Sequence, residues 1–219
     1  MNLVEEILKK PMARLLVEEA VKLLNEETQQ RNTFRNWVDE SIKAEFINGE
    51  VVLHSPAKNK HLSACGNLFM LLNAHATNQK LGVVRVEKAM VSLTRNDYEP
   101  DICFFGNEKS QHFTPEQLLF PAPDLIVEIL SKKTAKRDRG IKFEDYAAHG
   151  VAEYWIIDPT KEIVEQYALI GGLKEYFPIA TARYDDDLAS RAVVGFDIPV
   201  AAIFDESANI ETLKTLLAK

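Results

Sequence analysis

The run LIVEILS, Leu125–Ser131, constrains the fold more than any other part of the chain. Leu125, Ile126, Val127, Ile129 and Leu130 make both faces of an extended segment apolar, and a strand of that kind is covered on both sides. The architecture this implies is an α/β sheet with helices packed on its faces. Glu128 interrupts the run. A carboxylate buried without a partner costs several kcal/mol, so Glu128 requires either a core arginine or lysine or a metal ion. A patch of lysine and arginine follows directly behind it.

The rest of the chain supplies elements for such a layered fold. Residues 1–30 carry Leu15, Leu16, Leu23 and Leu24 at helical spacing and are expected to form one or two amphipathic helices broken near Pro11. Thr33 is placed to cap a further short helix with Phe34 and Trp37. AEFINGEVVLH is a hairpin, because Asn48-Gly49 tolerates the positive φ of a tight turn. A helix over Ala57–Lys80 is expected to bury Leu62, Cys65, Phe69 and Leu72. Gly82 opens a long strand, VVRVEKAMVSL, and EPDICFF is a second. Residues 106–122 form a polar loop with a helical turn after Thr114, before the strand holding Glu128. The segment RGIKFEDYAAHG is a helix stopped by Gly150, AEYWIID is a strand ended by Pro159, three or four shorter strands follow, and a closing helix covers about 206–218.

Composition excludes few classes. The chain is 46% hydrophobic and 27% charged, an ordinary globular balance, and its net charge of −7 argues against a surface that is basic throughout. Cys65 and Cys103 fall in apolar patterns and suggest buried thiols in a reducing cytoplasm. The start MNLVEEILKKPMARLL lacks the pattern of a signal peptide, and no apolar run approaches a membrane span.

The chemistry concentrates between Asp101 and Tyr146. Asp101 follows Pro100 at the start of an apolar strand, and Glu128 lies 27 residues later in another. If the two strands are neighbours, the carboxylates meet and need a cation, for which Mg²⁺ or Mn²⁺ is suited by its preference for oxygen ligands. Asp124 precedes Glu128 on the same strand by roughly 13 Å, too far for a shared ion, and suits a strand-entrance cap. Lys142 and Tyr146 share one helix face, from which an ammonium can reach across the carboxylate strand and offset charge on a phosphate under attack. Lys132, Lys133, Lys136, Arg137 and Arg139 form a patch that attracts a phosphate backbone, or else a solvated surface. Tyr146, Trp155 and Asp158 also suit packing and turn roles.

Asp101, Glu128 in PDLIVEILS, and RDRGIKFEDYAAHGVAEYWIIDP together resemble the Uma family of nucleases in the restriction-endonuclease-like PD-(D/E)XK superfamily. The resemblance extends over about residues 42–205 and is strongest over 121–159. It implies a restriction-endonuclease-like α/β fold, a mixed β-sheet core flanked by helices over 42–219, with an N-terminal helical extension over 1–41. It also implies Mg²⁺-dependent (or Mn²⁺-dependent) hydrolysis of DNA phosphodiesters, with Asp101 and Glu128 as metal ligands and catalytic residues and Lys142 as the catalytic lysine. Leu130 occupies the place where the superfamily pattern puts its lysine, and Lys142 on the following helix stands in for it. His61 matches a histidine common in the family, and Glu45 and Tyr146 are further candidates. A homodimer would suit paired cleavage of a duplex. A non-catalytic binding or scaffold protein of the same fold is the alternative.

Overall fold

A computed structural model describes residues 3–39 and 41–218. The chain divides into two compact units, residues 1–54 with 94–97, and residues 55–93 with 98–219.

In the first unit, a short helix α1 (Leu3–Leu8) precedes a long helix α2 (Ala13–Trp37), and a hairpin joins β1 (Ala44–Ile47) to β2 (Glu50–Leu53). The break at Pro11 falls where the missing N–H predicts it. No second helix starts at Thr33: α2 continues unbroken, and the Thr33 hydroxyl donates to the Gln29 carbonyl one turn back. Asn48 and Gly49 both hold positive φ in the hairpin turn. Asp97 opposes Phe46 in β1 and receives Arg31 and Arg35 from α2, both through two nitrogens. Two arginines thus neutralise a carboxylate that is fully buried.

The second unit contains α3 (Asn59–Asn78), β3 (Gly82–Val86), β4 (Met90–Ser92) and β5 (Asp97–Tyr98), whose first residue belongs to the first unit. Then come β6 (Ile102–Gly106), α4 (Asn107–Ser110), β7 (Leu119–Phe120), β8 (Leu125–Ile129), α5 (Ala135–Asp138), α6 (Ile141–Ala148) and β9 (Glu153–Asp158). The chain finishes with β10 (Ile163–Leu169), β11 (Tyr176–Arg183), β12 (Asp187–Ala189), β13 (Asp197–Pro199), α7 (Ala201–Phe204) and α8 (Glu206–Leu217). Six strands form one sheet in the order β11-β10-β9-β8-β6-β3. The β8–β9 pair is parallel, with α5 and α6 in the crossover, and the other pairs are antiparallel.

Expectations for this unit change in detail. The segment expected as one long strand from Gly82 bends at Glu87, whose φ of 54° is left-handed, and so becomes β3 and β4. After Thr114 the chain makes a single turn closed by the Gln117 N–H on the Thr114 carbonyl, and a short helix not expected from the sequence, α4, precedes it. On α3 the expected Cys65 and Leu72 are buried and Phe69 packs partly buried against the core, joined by Ala64, Leu68, Leu71 and Ala76, while Leu62 is exposed.

Strand alternation explains the location of Glu128. Leu125, Val127 and Ile129 point into a core shared with α3, with Ile102 and Phe104 of β6, and with Trp155 and Ile157 of β9. Ile126 and Glu128 therefore project to the opposite face of the sheet. Glu153 of β9 is a second fully buried carboxylate, and its roles are structural. It accepts from Trp155 Nε1, Gln166 Nε2, Ser190 Oγ and the backbone N–H groups of Arg191 and Ala192, tying the 190–192 turn to the sheet.

Candidate active site

Strand register sets Asp101 opposite Glu128. β6 and β8 are adjacent and antiparallel, with Ile102 opposite Val127, so Asp101 enters β6 directly across from Glu128. Asp101 Oδ2 accepts the Ile129 N–H at 2.8 Å, which fixes the carboxylate against the neighbouring strand. Its other oxygen lies 3.3 Å from His61 Nε2, presented by the first turn of α3.

Glu128 has a cationic partner. Its Oε1 accepts from Lys142 Nζ at 3.0 Å and from the Tyr146 hydroxyl at 3.0 Å. Lys142 and Tyr146 stand one turn apart on α6, so a single helix face delivers both donors to one oxygen. Lys142 is 1% exposed and Glu128 4% exposed, so this is a buried ion pair, not a surface one. Asp138 Oδ1 approaches the same ammonium at 3.7 Å, and the Tyr98 ring centroid lies 5.7 Å from it. Tyr98 is held by a hydrogen bond from its hydroxyl to Asp145 and by edge contact with Tyr146. The Tyr154 hydroxyl donates to the Asp138 carbonyl, and burial, followed by the charges of Glu128 and Asp138, pushes its pKa well up.

His61, Glu87 and Asp101 each offer a ligand atom, and the three atoms lie within 4.8 Å of one another. One imidazole nitrogen and two carboxylate oxygens at that separation fit a single divalent cation. Glu87 escaped the sequence reading because it was assigned to a continuous strand. The adjacent charges Glu87-Lys88, which interrupt the alternation, were the available signal. Asp138, buried beside Lys142, is a further acid that no local pattern singles out.

The remaining candidates are distributed more widely. Glu45 lies on β1 in the first unit, with Oε2 3.3 Å from His54 Nε2. Within the basic patch, Lys132, Lys133, Lys136 and Arg139 are exposed and Arg137 is half-buried. Lys133 donates to Ser55 Oγ, and Arg139 pairs with both oxygens of Glu165 at 2.6 Å. Asp124 accepts the Gly106 N–H and pairs with Lys109, a strand-entrance role. Asp158 accepts the N–H groups of Thr160 and Lys161 in the turn after β9. Trp155 and Tyr146 are both fully buried. No helix among the described residues is long and apolar enough to cross a membrane.

Comparison with known proteins bears on the fold and the family. One solved structure is titled a putative nuclease belonging to DUF820 from Anabaena variabilis. It superposes with a TM-score of 0.66 at 18% sequence identity, covering 80% of this chain and 96% of its own. That likeness establishes a shared fold. No curated protein matches the chain. The family model Uma2, described as "Putative restriction endonuclease", matches residues 31–201, which is most of the chain and includes Asp101, Glu128 and Lys142. The chain therefore belongs to the Uma2 family.

Proposed function

We propose that the chain is a divalent-metal-dependent endonuclease that hydrolyses DNA phosphodiester bonds. The observation that carries this reading is the register that sets Asp101 opposite Glu128 on adjacent strands, with Lys142 bonded to Glu128. Asp101 would hold the ion with Glu87 and His61, while Glu128, opposite Asp101 in the strand register, holds Lys142. A bound divalent ion supplies Lewis-acid stabilisation of phosphate charge and an activated water.

The side chains have separable tasks. The Ile129 N–H fixes the Asp101 carboxylate. Tyr146 fixes Glu128, so that Lys142 is not needed to orient it alone. The Lys142 ammonium, shielded from water by the Tyr98 ring, offsets negative charge on the phosphate as the bond to the leaving oxygen breaks. Exposed Lys132 and Lys136 draw in the phosphate backbone. The protein alone provides no covalent nucleophile in this scheme, and the attacking group is water.

One observation favours the alternative of a non-catalytic DNA-binding scaffold. Lys142 is almost completely enclosed and already serves two carboxylates, as a purely structural lysine would. The two readings separate when the protein is incubated with plasmid DNA and Mg²⁺ or Mn²⁺. Nuclease action predicts cutting that Asp101→Asn, Glu128→Gln and Lys142→Met reduce by at least about a hundredfold, the size of one lost charge-stabilising group. Calorimetric Mn²⁺ binding should weaken in Asp101→Asn. Cutting that persists undiminished in Glu128→Gln and Lys142→Met would overturn the assignment. Salt-sensitive DNA binding without turnover would select the scaffold.

A further inference from the structure

The apolar stripe of α2 is longer than the structure that covers it. Within the first unit, Arg31 and Phe34 are buried, Glu27 pairs with Arg95, and Glu27 and Gln30 approach Gly49. Traced back by whole turns, the same face continues through Leu24, Leu23, Ala20, Val17, Leu16 and Ala13. There it is open: Leu16 is 38%, Val17 46%, Leu23 55% and Leu24 49% exposed. The family match begins only at residue 31, so this outer half lies before the matched region. An uncovered stripe of this length on a helix signals an interface.

We propose that residues 13–24 form a self-association seam, in which two copies of the chain pair antiparallel about a two-fold axis between Val17 and Ala20. The sequence here follows a heptad, with Val17 and Leu24 at one core position, Ala13 and Ala20 at the other, and Leu16 and Leu23 flanking them. Side-chain size sets the direction. Pairing the helices parallel and in register would stack Ala13 on Ala13 and Ala20 on Ala20, leaving two underfilled layers. Antiparallel pairing sets Val17 against Ala20 of the second copy and Ala13 against its Leu24, and brings Leu16 beside its Leu23. Large then meets small in each layer, as close packing requires.

Charge points to the same occupant. The chain carries −7 overall, yet between Leu3 and Leu24 Lys9, Lys10, Arg14 and Lys22 balance Glu5, Glu6, Glu18 and Glu19. Two copies therefore meet through a locally neutral segment, where their net charge opposes association least. The seam lies near the lower limit for a stable interface, roughly 1,000 Å² in all, so the dimer is expected to form reversibly at micromolar concentration.

The test uses the full chain. Analytical ultracentrifugation across concentrations should show a monomer–dimer equilibrium, with Leu16→Glu/Leu23→Glu monomeric throughout and its far-UV circular dichroism unchanged. Single-cysteine variants then read the direction, because the native thiols Cys65 and Cys103 are buried. Across the proposed axis the two copies of residue 20 are offset by roughly 5 Å along the helix and those of residue 13 by roughly 16 Å. Oxidation should cross-link Ala20→Cys and spare Ala13→Cys. A protein that stays monomeric at high concentration would overturn the proposal and leave the stripe to another partner. A dimer that survives Leu16→Glu/Leu23→Glu would also overturn it, as would equal cross-linking at both positions.

Discussion

Replacing Lys142 by methionine tests whether the central ion pair is buried as tightly as its contacts imply. Methionine keeps most of the volume and removes the charge. The loss removes the ammonium from Glu128, which keeps the Tyr146 hydroxyl, and from Asp138. Removing one partner of a buried pair costs about 3–5 kcal/mol. Protonation sets a ceiling: a stranded carboxylate can escape by binding a proton, which from an ordinary value near 4.3 costs roughly 4 kcal/mol at pH 7. The expected loss is therefore about 3–4 kcal/mol at neutral pH. It should shrink as pH falls toward 5, where protonation costs only about 1 kcal/mol. Adding Glu128→Gln should recover roughly 2 kcal/mol, since the amide oxygen still accepts from Tyr146 and no stranded Glu128 charge remains. Urea unfolding followed by fluorescence of the buried Trp155 measures each variant; with a slope of about 2–3 kcal/mol/M, the single change should lower the midpoint by roughly 1–2 M. A loss below about 1 kcal/mol, independent of pH, is what a solvent-screened pair would show and would refute the reasoning.

Two further predictions address other parts of the second unit. Hydrogen bonding from Arg139 holds the Glu165 carboxyl below its usual range, so the stabilisation is present above the ordinary carboxylate value and lost as pH falls through the depressed one. The pair is partly exposed, so Arg139→Gln should cost at most about 1 kcal/mol at pH 7, a difference expected to fade in acid-titrated melting curves as Glu165 becomes protonated. Burial pushes the Cys103 thiol far above its usual range and Cys65 is buried too, so a thiol-reactive chromophore should label neither in the native protein and both in urea. Rapid labelling without denaturant would contradict the packed α3–sheet core.

Much of the fold was legible because its signals are local. Asn48-Gly49 forms the hairpin turn, and LIVEILS forms a central strand at β8. FEDYAAHG ends its helix near Gly150, which holds a φ of 79°. Boundaries were less legible. Thr33 resembles a cap by type, yet it lies inside a helix whose Arg31, Phe34 and Arg35 are anchored by contacts distant in sequence. The bend at Glu87 could not be located because an apolar run with two charges in the middle is consistent with a strand that continues or one that turns. The stripe of α3 was legible at Cys65 and Leu72 but not at Leu62, because burial there depends on α7, α8 and the sheet as well as on the helix's own periodicity.

The candidate site divides along the same line. The amino-acid order by itself determined that an acid interrupts an apolar strand, that Asp101 opens another, and that Lys142 and Tyr146 share a helix face. Each follows from the repeat of a strand or helix. Only the tertiary structure decided that Asp101 faces Glu128 across the β6–β8 ladder, that Lys142 and Tyr146 meet at one oxygen of Glu128, and that Glu87 and His61 gather beside Asp101. Those meetings depend on strand order, register and the helical crossover between β8 and β9. Side chains from five separate segments converge there, and no local pattern encodes a distance between segments that only folding brings together.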